Sequence, residues 1–359
     1  MLGVVGKVGL EIGGAVIASR GKAQEIQRII GGRSTQDIWC IPGGVAKGLR
    51  PDELEQIKPM AADLYDFTQF SLQLFRDVVL ANPTYLEIIA NGPYTLDVHN
   101  MGLVDENNAV DFYDGQVRVV DFEGAEICRY EPREYADYVA EHVEPWSYLK
   151  FPYLKRRGWK GFVEGIDTPI YCATPLSRLN VADRMATPKA QEGFEEMFTT
   201  LGGHPSRMLL AQHWARLVEM VQNAEALRMY CDDPEITGDA YRVIPERVTG
   251  EGVAIVEAMR GTLTHHYTCD ENAICTSANL IVGTTNNNAP IHMVTRKVAE
   301  SLIEPGVEPD QGILNMIEMA FRAFDPCYSC ATHSLPGQMP LRVTVHKGGR
   351  VTHDFRRGC

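Results

Sequence analysis

The chain has 359 residues, 45% of them hydrophobic, with 34 Lys and Arg against 47 Asp and Glu for a formal net charge of -13. That length and apolar content fit one large globular domain, or two ordinary ones, with a sizeable core. The acidic balance argues against a nucleic-acid partner, which needs a clustered cationic footprint, and the tract "KRRGW" at 155–159 is too short to supply one.

The opening stretch "MLGVVGKVGLEIGGAVIAS" is broken by Lys7 and Glu11, so it reads neither as a signal peptide nor as a membrane span. It continues to "RIIGG" like the middle of a helical domain, with nothing to cap it as a first element. "GVVGKVG" is not a phosphate loop, because Lys7 is followed by Val8 and the glycine spacing is wrong.

Apolar spacing predicts a helix over roughly Asp63 to Val79, with Leu64, Phe67, Phe70, Leu74 and Val78 inward and Pro83 limiting its continuation. In "VDFYDGQVRVVDF", Asp114-Gly115 between alternating segments predicts a two-residue hairpin. Leu210, Trp214, Leu217, Val221 and Ala224 form one buried helical stripe. From Gly250 to Thr285 the chain reads as extended segments around a polar turn at Asp270 to Asn272, and "LRVTVHKGGRVTHDF" as a last hairpin turning at Gly348-Gly349. His265 and His266, adjacent on a strand, point to opposite faces, so only one could face a site, and neither is assigned a role. No repeat, low-complexity tract or linker interrupts the chain. The expected class is mainly α within α+β: a helical bundle core with peripheral β-hairpins.

Nine cysteines, an odd number without a small-domain framework, suit a reducing compartment and place the protein in the cytoplasm. Two of them stand out in "FDPCYSCATHSLPGQMP", where Asp325, Cys327, Cys330 and His333 fall within nine positions. A C-x-x-C pair can be a redox dithiol, half a zinc site, or half a thiolate site for another soft-ligand metal. Zinc would need two further ligands, the nearest in the chain being His333, His346, His353 and Cys359, with no second C-x-x-C. A thioredoxin-like dithiol belongs after an N-terminal strand, whereas this pair follows the amphipathic segment "QGILNMIEMAFRAF". The plain alternative is two buried structural cysteines beside a satisfied aspartate.

"DPCYSCATH" resembles the D-P-C-x-x-C-x-x-H signature that closes the large, catalytic subunit of nickel-iron hydrogenases. "EAMRGTLTHHYTCDENAICTSANLIVGTTNNN", "WSYLKFPYLK", "LSRLN" and "IWCIPGGV" resemble further blocks of that family, so the likeness runs from Gly3 to about Val345. It is nearest to the cytoplasmic multisubunit branch, which includes methyl-viologen-reducing hydrogenases linked to heterodisulfide reductase and NAD-linked bidirectional enzymes. The resemblance implies reversible heterolytic cleavage of hydrogen at a nickel-iron centre held by four cysteine thiolates, the iron carrying cyanide and carbon monoxide. By motif, Cys327 would be a terminal nickel ligand and Cys330 a bridge, since soft, strongly donating thiolates suit a nickel that changes oxidation state. His333 would bind a magnesium-type ion or water and mark the point where a maturation endopeptidase cuts, leaving a core of residues 1–333 and removing 334–359. Arg260 matches the arginine over the metals; free guanidinium is a poor base, so any proton role needs a dry, cation-crowded site. Asp325 matches the aspartate that fixes it, the bland reading being an ordinary structural ion pair. Thr284 aligns with a hydroxyl that bonds a cyanide ligand. The implied partners are an iron-sulfur small subunit with further electron-transfer subunits, because this chain has no ferredoxin-type cysteine run of its own.

The sequence also departs from the family. The first motif, R-x-C-G-x-C, and an early E-G-H glutamate are missing; Met259 replaces a common proline before the arginine, and Gly283 stands where many relatives have proline. No two of Cys40, Cys128, Cys172, Cys231, Cys269, Cys275 and Cys359 are spaced by two residues. Two expectations follow: Met1 is an internal methionine of a longer catalytic subunit, or the chain is a paralogue serving as a catalytically inactive, nickel-free scaffold.

Overall fold

The computed structural model describes residues 9–303, 305–306, 310–332 and 341–357. Helix α1 (Leu10–Gly31) stops where Gly32 takes the left-handed conformation and returns its N–H to the Arg28 carbonyl. A two-residue ribbon, β1 (Cys40–Ile41) and β2 (Gly44–Val45), leads to α2 (Pro51–Phe75). Pro51 supplies a pre-set φ at the first position, and Asp52 and Glu53 face the positive end of the helix dipole. This helix begins well before Asp63 and passes into a π-helical turn, Arg76–Leu80. Its buried positions include Ile57, Ala61, Thr68 and Leu72, whereas Phe70 is 42% exposed. Of the expected stripe, Leu64, Phe67, Leu74 and Val78 are partly buried, and Leu64 packs beside Ile57 and Ala61. Pro83 opens α3 (Pro83–Asn91) instead of prolonging α2.

The central sheet has the order β5-β4-β3-β8: β3 (His99–Val104), β4 (Gln116–Val120) and β5 (Glu126–Tyr130) are antiparallel, and β8 (Tyr171–Cys172) joins β3 in parallel. All six residues of β3 are buried, so this sheet is part of the interior and not peripheral. Asp114-Gly115 is not a two-residue hairpin turn; residues 105–115 connect β3 to β4, and Asp111 Oδ1 accepts from the Tyr113 and Asp114 N–H groups. Turn chemistry there served a longer connection. Short helix α4 (Tyr135–Tyr138) precedes the ribbon β6 (Val139–Val143) and β7 (Lys150–Leu154).

Helices α5 (Pro175–Val181), α6 (Pro188–Thr200) and α7 (Gln212–Cys231) enclose the largest core, in which Trp214, Val218 and Val221 are fully buried. The stripe expected on α7 is present, with Leu210 in the 3-10 turn just before it and Leu217 partly buried. A three-stranded antiparallel sheet follows: β9 (Glu251–Ala258), β10 (Gly261–Cys269) and β11 (Cys275–Ile281). Ile255 and Ile281 share a core with Val117 and Val119 of the central sheet. Helices α8 (Gly283–Asn286), α9 (Asn288–Leu302), α10 (Gln311–Arg322) and α11 (Tyr328–Thr332) complete the body, and β12 (Leu341–Lys347) pairs with β13 (Arg350–Arg357) around Gly348-Gly349, as the sequence suggests. The α+β class therefore holds. Among the described residues, no helix is long and apolar enough to cross a membrane.

Candidate metal centre at the β9–β10 turn

Three distant segments meet at the end of β9. Arg260 sits in the tight turn between β9 and β10, Thr284 in α8, and Asp325 to Cys330 in the turn from α10 into α11. Asp325 adopts φ 48°, a left-handed conformation that Asp tolerates better than most side chains. The reversal presents both acceptors of one residue to one guanidinium: Arg260 Nε donates to the Asp325 carbonyl at 2.7 Å, and Nη2 lies 3.1 Å from the Asp325 carboxylate. Two residues later the Cys327 N–H donates to Thr284 Oγ1 at 3.0 Å. Cys327 and Cys330 have their Cα atoms 5.3 Å apart and their sulfurs joined in a disulfide; to hold a metal the pair would first be reduced to two thiolates.

The turn carrying Arg260 is clamped from behind. Asn287 Nδ2 donates to the carbonyls of Ala173, Arg260 and Gly283, while its Oδ1 accepts from the Ala173 N–H. Asn286 accepts from the Tyr171 hydroxyl at 2.6 Å and donates to the Thr262 carbonyl. At Gly261 a Cβ would run into the Ala173 carbonyl oxygen and come within 2.8 Å of the Gly283 carbonyl oxygen, so the three backbones can cross only with glycine there. The "NNN" run at 286–288 is thus a buried scaffold, held by hydrogen bonds as buried amides generally are. Three consecutive asparagines after an extended segment were the signal, and sequence reasoning assigned them nothing.

Deeper in, Arg178 of the "LSRLN" block is 1% exposed and spans two carboxylates. Its Nε and Nη2 donate to Glu219, while Nη1 donates to Glu257 at 2.9 Å and to the Ala258 carbonyl at 2.8 Å. Burial works against its charge, but the two carboxylates outweigh that and raise its pKa. Glu257, sharing one cation with Glu219, is raised by burial against the pull of Arg178. The two directions agree once the cluster is seen as one cation between two acids. Arg216 on α7 is held below its usual value by burial, with Asp325 the chief opposing charge; its Nε and Nη2 are buried and donate to no partner among the described residues.

Of the expected site residues, Arg260, Asp325, Thr284, Cys327 and Cys330 come together, whereas His333 lies outside the described residues. His266 bonds the Tyr135 hydroxyl and Glu251, and His265 the Tyr267 hydroxyl, so both are satisfied away from the site. The sulfur pair fits half of a four-thiolate set. Cys40, Cys128, Cys172, Cys231, Cys269 and Cys275 stay free on other elements, and among the described residues no group of three His, Cys, Asp or Glu side chains could hold a metal.

The nickel-dependent hydrogenase family pattern matches residues 94–333. The chain is 42% identical to the F420-non-reducing hydrogenase iron-sulfur subunit of Archaeoglobus profundus, over 96% of this chain and 71% of that one. It is also 42% identical to an F420-non-reducing hydrogenase subunit of Methanothermobacter marburgensis, over 90% and 66% respectively. NAD-reducing hydrogenase HoxS subunit beta of Cupriavidus necator is 37% identical, over 95% and 70%. The chain thus spans about two thirds of the length of the curated relatives it matches. Among solved structures, the NAD+-reducing [NiFe]-hydrogenase in its H2-reduced state superposes with a TM-score of 0.83 at 31% identity, covering 92% of this chain and 71% of that one. With an extended family match, relatives above 40% identity and a shared fold, the chain belongs to the nickel-dependent hydrogenase family.

Proposed function

We propose that this chain is the catalytic core of a nickel-iron hydrogenase large subunit, interconverting hydrogen with protons and electrons. The observation carrying this reading is the convergence of Arg260, Asp325 and Thr284 on the Cys327–Cys330 pair. When bound, the nickel-iron centre supplies the heterolytic cleavage itself. Cys327 and Cys330 would hold it as thiolates. Asp325 aims the guanidinium of Arg260 through two acceptors, so the cation enters the site without rotameric freedom. Thr284 spends its acceptor on the Cys327 N–H and keeps its hydroxyl proton for an anionic ligand such as cyanide.

The implied setting is the cytoplasm, with an iron-sulfur small subunit plus further electron-transfer subunits as partners, a magnesium-type ion or water at His333, and no nucleic acid. Removal of residues 334–359 by a maturation endopeptidase is supported by the hairpin β12–β13, whose strands, among the described residues, pair only with each other. It faces α9 and α10 across an open cavity of ≈ 550 Å³ with Leu314, Phe321, Val343 and Phe355 in its wall. One observation favours the competing nickel-free scaffold: among the described residues only two cysteines, Cys327 and Cys330, lie at this site. Nickel per chain, measured together with intact mass on the complex from its native source, separates the two. Stoichiometric nickel on a chain ending at His333 supports catalysis; a nickel-free chain ending at Cys359 overturns it.

A further inference from the structure

At the far end of the sheet that carries Arg260, Cys269 and Cys275 face each other across β10 and β11. The hairpin closes through the Asp270 N–H to the Ile274 carbonyl (3.0 Å) and the Ala273 N–H to the Asp270 carbonyl (3.0 Å), with Ala273 in the left-handed region at φ 62°. The next pair inward is Cys269 and Cys275, and the Cys269 N–H turns the other way, donating to the Gly250 carbonyl at 2.8 Å. The two cysteines therefore occupy a non-hydrogen-bonded position of the ladder, where facing Cα atoms approach to about 4.5 Å and side chains lie closest. That spacing falls inside the range a disulfide can span, about 4.4–6.8 Å between Cα atoms. A register shift between Thr268 and Cys269 lets Thr268 Oγ1 bond both Thr276 and Ser277, which pins the pairing. Both thiols are free; Cys275 is exposed and Cys269 partly exposed, and Cys275 Sγ donates to the Ser277 carbonyl.

We infer that Cys269 and Cys275 form a thiol–disulfide exchange site, separate from the metal centre, whose substrate class is small soluble disulfides. The exposed Cys275, as thiolate, attacks one sulfur of the small disulfide and expels the other half as a thiol. Cys269, already opposite, attacks the mixed disulfide at Cys275, loses its proton and releases the second small thiol. The net change is oxidation of two protein thiols to one cross-strand disulfide and reduction of one small disulfide to two thiols. Closing it needs a χ1 rotation of Cys275 away from the Ser277 carbonyl.

The test treats the folded protein of residues 1–359 with oxidised glutathione, blocks remaining thiols by alkylation and maps peptides without reduction. Alongside the Cys327–Cys330 disulfide, the expected new linkage joins Cys269 to Cys275 and is reopened by dithiothreitol. In Cys269→Ser the expected product is a glutathione mixed disulfide trapped on Cys275. Alkylation of both cysteines after treatment, or separate glutathione adducts on each in the unsubstituted chain, would overturn the inference. Because both positions lie at an exposed turn, folding of the serine variant is checked by its unchanged thermal midpoint, and Cys275→Ala gives the reciprocal readout.

Discussion

Arg178 and Arg260 both bear on the end of β9, yet they meet their carboxylates in opposite settings. Arg178 donates to the Ala258 carbonyl and is closed in by Glu219 and Glu257, with side-chain exposures of 1%, 7% and 0%. Arg260, just past the end of that strand, is 30% exposed and its partner Asp325 52%. In the first cluster water is gone, every guanidinium nitrogen is engaged, and removal of one member leaves a charge with nowhere to be solvated. In the second, water already screens the pair, so it adds little to stability while its charge stays available to whatever occupies the site. The closed arginine holds the strand end in place; the open one is presented by it.

The sharpest way to break this comparison is Arg178→Met, which strands two buried carboxylates. Unfolding in urea is expected to show a loss of about 3–5 kcal/mol, and a loss below about 1 kcal/mol would mean the cluster is less closed than its exposures indicate.

A second buried polar group sharpens it through pH. His99 is fully buried, its Nε2 donates to the Thr168 carbonyl at 2.9 Å, and burial pushes its pKa down to about 4. Above its unfolded value of about 6.5 the ring is neutral in both states and makes no pH-dependent contribution. As pH falls from about 6.5 toward 4 only the unfolded chain takes up the proton, so stability declines by roughly 3 kcal/mol across that window. His99→Gln is expected to flatten this part of the profile followed by thermal unfolding.

Nearer the open site, Thr284→Val leaves the Cys327 N–H without its acceptor and is expected to cost about 1–2 kcal/mol, with Thr284→Ser recovering most of it. A destabilised serine variant beside an undiminished valine variant would show that the methyl group, and not the hydroxyl, matters there. Smallest in stability is Arg260→Ala, expected to change the unfolding free energy by less than about 1 kcal/mol while abolishing hydrogen uptake by the native complex. Equal losses of stability for Arg260→Ala and Arg178→Met would erase the distinction between the two arginines.

The α7 stripe was legible because one helix face meets one core, and periodicity needs no partner to be read. The last hairpin and the turn at Asp270 were legible for a similar reason, since turn residues act over three or four positions. Local pattern was only partly right at α2, whose most buried positions were chosen by contacts with residues far along the chain, and it failed at Asp114-Gly115, where a turn signal sat inside a longer connection. The buried β3 was missed because its six residues, His99 and Asn100 among them, do not alternate or read as an apolar run. The residues of the candidate centre were singled out through their resemblance to family blocks, whereas Arg178, Glu219 and the asparagines were given no role, because a buried polar residue is indistinguishable from a surface one until its partner is known.

By itself, the sequence determined the residues able to carry thiolate chemistry, the buried stripe of α7, and the absence of a second C-x-x-C to complete the cysteine set. Only the tertiary structure decided which arginine is buried and which is offered to the site, that Asp325 supplies two acceptors through a left-handed turn, and that Cys269 faces Cys275 across a bulged ladder. The reason is physical: residue type fixes what a side chain can do, but solvent exclusion and hydrogen-bond register belong to the neighbours, and those come from segments tens to hundreds of residues away.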